Sequence, residues 1–136
     1  MAVNPVVLDL VWEGEQRLRG QVGDVTLTLD GSGKSGPSPV QAVALGLASC
    51  MALDLVHILT RGRTEPKALR VHLIGHRRDS EPRRFLSFEL RFTVEGDVPP
   101  ERVARAIELS RETYCSVWHS LAKDIALETA FEIVPA

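Results

Sequence analysis

The chain predicts an α+β domain built on antiparallel sheets, and three observations carry that class. Strand-like and helix-like segments follow the order three strands, helix, two strands, helix, strand, without the regular alternation that a parallel sheet needs. Leu86, Phe88, Leu90, Phe92 and Val94 alternate with Ser87, Glu89, Arg91, Thr93 and Glu95, which is a strand with one buried and one wet face. The length of 136 residues, 44% of them hydrophobic and 25% charged, suits a single domain over residues 1–136 with a core of its own.

The elements follow in order. Val6 to Trp12 reads as a strand, and Arg17 to Val22 and Val25 to Leu29 read as two more, joined by a Gly23-Asp24 turn. Asp30 to Pro37 is a flexible loop by composition. Ser38, Pro39 and Gln41 then form a helix start, with Ser38 and Gln41 spaced as a capping box. The helix runs to about Thr60, with Gly62 as its stop. Leu69 to Gly75 is a strand, Arg77 to Arg84 a charged turn, and Leu86 to Glu95 the alternating strand. Asp97 to Pro100 opens a second helix carrying Val103, Ile107, Ser110 and Tyr114, disturbed near Cys115 and continued as a short piece through Leu121. Ile125 to Val134 closes the chain as a strand.

Sixteen basic residues against eighteen acidic ones give a formal charge of −2, so no global electrostatic drive points to nucleic acid or an anionic membrane. The Arg77-Arg78 and Arg83-Arg84 pairs are mixed with Asp79 and Glu81 and lack interleaved aromatics, which reads as a solvated hairpin tip. Two cysteines are too few for a secreted disulfide scaffold. Met1 to Trp12 lacks the basic start and long apolar run of a signal peptide. A cytoplasmic, reducing location is the expectation, and there a cysteine pair is more often metal-binding or catalytic than a static staple.

Between Val40 and Leu59 the central helix is apolar on nearly every side. Such a helix either spans a membrane or is buried in protein. Gln41, Ser49, Asp54 and His57 interrupt the run too often for the first. A rod from Pro39 to Thr60 is roughly 33 Å long, against a radius of gyration of about 14 Å for a globule of this size. One small domain hardly covers it, so a twofold homodimer is expected.

Cys50 lies within this helix, and Asp54, His57 and Arg61 fall near the same stripe. A polar stripe on an apolar helix needs partners, a polar cavity or a site. The plainer alternatives are a small buried hydrophobe for Cys50, an ion pair for Asp54 and a satisfied histidine for His57. If Ser116 to Leu121 forms a new turn, Cys115 stands near its N-terminus, which favours thiolate.

The segments Gly36-Pro37-Ser38-Pro39-Val40-Gln41-Ala42-Val43 and Leu47-Ala48-Ser49-Cys50-Met51-Ala52-Leu53-Asp54 resemble the first-cysteine motif of the OsmC/Ohr family, the osmotically induced protein C and organic hydroperoxide resistance proteins. Tyr114-Cys115-Ser116-Val117 resembles the second-cysteine motif, and Trp12 to Gly20 resembles the opening hairpin. The likeness covers nearly the whole chain, and it is to the OsmC-like branch.

The resemblance implies an intertwined homodimer with antiparallel sheets around two long buried central helices and active sites at the subunit interface. It implies reduction of organic hydroperoxides by two cysteines in oxidative-stress defence, with no cofactor and no metal. Cys50 would be peroxidatic and Cys115 resolving, and an external thiol or dithiol would reset the pair. A buried thiolate needs a cation, for which Arg17 is the match and Arg19 the alternate. Gln41 and Asp54 are supporting candidates. Two positions depart from the family pattern. Catalytic members carry Glu where this chain has Val40 followed by Gln41, and Ser116 replaces a Pro.

Two other readings compete. A stress or small-molecule-binding protein would keep the fold and cysteines without peroxide turnover. A zinc site of Cys50, His57, Cys115 and His119 is disfavoured, because residues seven apart on a helix are about 10 Å apart along its axis.

Overall fold

A computed structural model of the chain describes residues 3–136. The chain forms two compact units, one ending at Val43 and one running from Ala44 to Ala136.

The first unit is an antiparallel meander of β1 (Asp9–Trp12), β2 (Arg17–Val22) and β3 (Val25–Asp30), in that order. The first strand starts three residues later than its apolar run predicts. Asp9 pairs with Gln21, and β2 ends one residue on at Val22, so residues 6–8 meet no continuing ladder. Gly23 supplies the left-handed turn between β2 and β3 (φ 58°).

The loop after β3, flexible by composition, is organised by one side chain. Asp30 is buried, and its carboxylate accepts from the Ser32 hydroxyl at 2.7 Å, the Ser32 amide at 2.9 Å and the Ser35 amide at 3.0 Å. These bonds, the Ser32 hydroxyl foremost, hold the Asp30 carboxyl at about 2, below its ordinary 3.8. Bonds to a lowered carboxylate act fully above the ordinary value and are lost as pH falls through about 2. The Ser32 and Ser35 amide resonances are therefore expected to titrate with a midpoint near 2, and a midpoint near 3.8 would contradict the cap.

Helix α1 (Pro39–Arg61) starts with the expected capping box. The Ser38 amide donates to Gln41 Oε1 at 2.9 Å and the Gln41 amide to Ser38 Oγ at 3.1 Å. At the other end the left-handed residue is Arg63 (φ 61°). Gly62 serves a close approach instead, since Arg102 Nη1 donates to its carbonyl at 3.0 Å and a Cβ would meet that guanidinium at 2.7 Å.

In the second unit β4 (Ala68–Arg77) pairs antiparallel with β5 (Phe85–Glu95). The chain then passes through α2 (Pro100–Leu109), a π-helical turn (Ser110–Tyr114) and α3 (Ser116–Ser120) before β6 (Ala126–Val134). β6 runs parallel to β5, with Ser87 opposite Ala126 and Glu95 opposite Val134. The expectation of antiparallel sheets throughout is thus corrected. The helical crossover between β5 and β6 returns the chain to the same end of the sheet, which a tight turn cannot do.

The core lies on one face of this sheet. Phe88, Leu90, Phe92 and Val94 of β5 pack with Leu47, Met51, Leu55 and Leu59 of α1 and Val103, Ala106 and Ile107 of α2. By length and composition alone α1 could cross a bilayer, yet this four-residue stripe is fully committed to the core. The other faces of α1 are bare, with Leu45 58% and Leu53 69% exposed. The expected burial on every side is not met within one chain. Among the described residues α1 is the long helix, with 23 residues against 10 in α2, so a pair of long central helices would take one from each of two chains.

Candidate active site

The site of the second unit begins with the disturbance at the end of α2. In the π-turn the Cys115 amide reaches back five residues to the Ser110 carbonyl at 2.8 Å. The wider turn releases the chain into an extended conformation at Cys115 (φ −74°, ψ 96°), from which α3 starts anew. Cys115 is fully buried, and its sulfur accepts from the Trp118 amide at 3.3 Å.

Cys50 approaches from α1, half-buried and one helical position away from the core residue Met51. Asp54 follows one turn later on the same face. Cys50 Sγ, Cys115 Sγ and an Asp54 carboxylate oxygen all lie within 4.8 Å of one another. Both cysteines are free thiols. The carboxylate is held from the far side, where fully buried Ser110 donates its hydroxyl to Asp54 Oδ2 at 2.8 Å.

Burial pushes the Cys115 thiol up to about 12, and the neighbouring Cys50 sulfur and Asp54 carboxylate add to the rise. The Trp118 amide acts in the opposite sense but does not prevail. The expectation that a new helical turn would favour thiolate at Cys115 is therefore corrected. One amide at the start of a five-residue helix does not replace the water that burial removes.

Beside this cluster a cavity of about 510 Å³ is lined by Asp54, His57, Ile58, Arg61, Leu109 and Tyr114. The polar stripe of α1 forms one wall, and α2 and the π-turn supply Leu109 and Tyr114. Gln41 is occupied in the capping box. Arg17 and Arg19 project from the same face of β2 in the first unit, near Glu15 at 3.6 Å and Glu13 at 3.7 Å respectively. Among the described residues, the Cys/His/carboxylate cluster is Cys50, Asp54 and Cys115. His57 stands on the cavity wall, and the exposed His119 ring contacts the Arg111 carbonyl at 3.0 Å. The Cys50, His57, Cys115 and His119 set is thus not gathered as a unit.

Ser110 is the side chain of the candidate site that sequence reasoning missed. Its signal was a hydroxyl at helical spacing from Val103 and Ile107, on the face that α2 buries.

The family model described as "OsmC-like protein" matches residues 31–130, which include both cysteines, Asp54 and the whole of α1. The chain belongs to the OsmC-like family. Protein YhfA of Escherichia coli K12 is 39% identical over 112 residues, covering 81% of this chain and 84% of YhfA. Among solved structures, a hypothetical protein from Aquifex aeolicus VF5 superposes with a TM-score of 0.91 at 24% identity, covering 98% of this chain and 99% of that one. An organic hydroperoxide resistance protein from Legionella pneumophila superposes with a TM-score of 0.71 at 13% identity, covering 97% and 99%. The OsmC-like fold of two small sheets and a long helix is therefore shared along nearly the full chain.

Proposed function

We propose that this OsmC-like protein reduces organic hydroperoxides by a two-cysteine, thiol-dependent reaction, as a cytoplasmic homodimer in oxidative-stress defence. The observation that carries the reading is the convergence of two free sulfurs, 65 positions apart in the chain, to within 4.8 Å beside a cavity. The relationship to organic hydroperoxide resistance proteins supports it.

Cys50 is the less buried sulfur and meets the substrate first. Its thiolate attacks the distal peroxide oxygen and the O–O bond breaks. The alcohol leaves with a proton, and Cys50 becomes a sulfenic acid. The Cys115 sulfur then attacks Cys50, forming the disulfide and releasing water. An external thiol or dithiol reduces that bond by exchange. Cys115 is a neutral thiol at pH 7, so its proton must leave as it attacks. Arg17, with Arg19 as alternate, is the proposed cation for Cys50. Asp54 supports the sulfur pair from one side. Ile58, Leu109 and Tyr114 give the cavity an apolar lining suited to an organic peroxide.

The bare faces of α1, with exposed Leu10, Trp12 and Leu27 of the first sheet, support a second copy of the chain as cover. The test treats reduced protein with one equivalent of cumene hydroperoxide, then counts free thiols and maps peptides. The expected result is loss of both thiols per chain and a Cys50–Cys115-linked peptide. Unchanged thiols would overturn the reading. They would favour a non-catalytic small-molecule-binding protein, for which Val40 and the cap-bound Gln41 speak.

A further inference from the structure

We propose that Cys50, Asp54 and Cys115 form a binding site for a thiophilic divalent cation of the zinc type, with two sulfurs and one carboxylate oxygen as ligands. The donor atoms already lie within 4.8 Å of one another. In a tetrahedral site with Zn–S of about 2.3 Å and Zn–O of about 2.0–2.2 Å, ligand atoms are roughly 3.5–3.8 Å apart. Closing that difference takes a shift of about 1 Å, within the reach of side-chain rotation.

The helix geometry that disfavours Cys50 with His57 favours Cys50 with Asp54. Residues four apart stand one above the other on a helix face. Cys115 supplies a third corner from a separate element, which gives the site closure without a loop of its own. Ser110 donates to Oδ2 of Asp54 and leaves Oδ1 for the cation, the arrangement by which an outer hydrogen bond orients a carboxylate ligand. Three groups that ionise to anions converge here, and within residues 44–136 Asp54 is held by a hydroxyl and by no cationic side chain. A divalent ion would bind the two sulfurs as thiolates, with their protons released on binding. The cavity that Asp54 borders leaves room for water as the fourth ligand.

The proposal does not rest on the hydroperoxide reading. A cation held by both sulfurs would keep them reduced and unlinked, so metal and disulfide exclude one another.

The test titrates reduced full-length protein with Co²⁺ as the probe. The expected result is uptake of a single Co²⁺ per chain with sulfur-to-cobalt charge-transfer absorption, displaced by Zn²⁺. Cys50→Ser and Cys115→Ser should each weaken the band and the binding. Asp54→Asn, which leaves both sulfurs in place, should keep the band but lower affinity on the order of 10- to 100-fold. Absence of saturable binding would overturn the proposal, as would unchanged affinity in Asp54→Asn or in the cysteine variants. Circular dichroism of each variant separates lost ligation from lost folding, and Asp54→Asn decides should Cys115→Ser fail to fold. Metal uptake without hydroperoxide consumption would sink the function reading alone, and the reverse would sink this one alone.

Discussion

Cys50→Ser is expected to abolish the proposed hydroperoxide consumption, and Cys115→Ser to preserve the first turnover and lose the disulfide. The two variants separate because the two sulfurs do different work in the proposed reaction. A serine hydroxyl at position 50 is not a nucleophile at neutral pH without a base to activate it. Steady-state turnover of cumene hydroperoxide with a dithiol should fall by at least about a thousandfold, the scale on which losing a nucleophile acts. In Cys115→Ser the attack on peroxide proceeds, and one equivalent of alcohol appears at the wild-type rate. The sulfenic acid at Cys50 then persists and is captured by dimedone, and excess peroxide carries it to the sulfinic form. Undiminished turnover in Cys50→Ser would remove the enzyme reading. A Cys115→Ser variant whose Cys50 loses its sulfenic acid as fast as the wild type, leaving nothing for dimedone to capture, would show that the second sulfur has been misassigned.

Leu53→Glu is expected to convert the proposed homodimer to monomers. Leu53 is 69% exposed at the middle of α1, an extreme position for leucine on a long apolar helix. Burying one such side chain is worth about 1.5–3 kcal/mol. A twofold interface contains it twice. Losing both contributions raises the dissociation constant roughly 10²- to 10⁴-fold, and the buried carboxylates add to that. Light scattering across a dilution series reads the outcome. The core stripe of Leu47, Met51, Leu55 and Leu59 is on another face of the helix, so the fold of each chain should survive. A wild-type protein that is monomeric at micromolar concentration would overturn the dimer.

What the sequence made legible is what neighbouring residues decide. The alternation around Phe88 and Phe92 produced a strand with those rings buried, because period two leaves no other face for them. The Ser38–Gln41 spacing produced a reciprocal cap at its expected position. The break in pattern near Cys115 corresponds to a true change of helix type. Pairing direction was not legible. The residues of β6 alternate identically whether β5 runs with them or against them, and only the crossover decides. Composition also missed the order of the loop after β3, since serines and glycines look mobile until one buried carboxylate collects the Ser32 and Ser35 amides. At the candidate site Asp54 was visible by its spacing from Cys50. Ser110 was not, because its partner is 56 positions away.

The parallel pairing of β5 with β6 bears on how the molecule comes into being. The β4–β5 and β2–β3 hairpins close over short stretches of chain, while β6 must wait for some thirty intervening residues to be folded back. Long closures are entropically slow. Cys115 rides on that intervening stretch, so its meeting with Cys50 is expected late in folding. A nascent or partly unravelled chain carries both sulfurs without their pairing, and its thiols behave as two strangers.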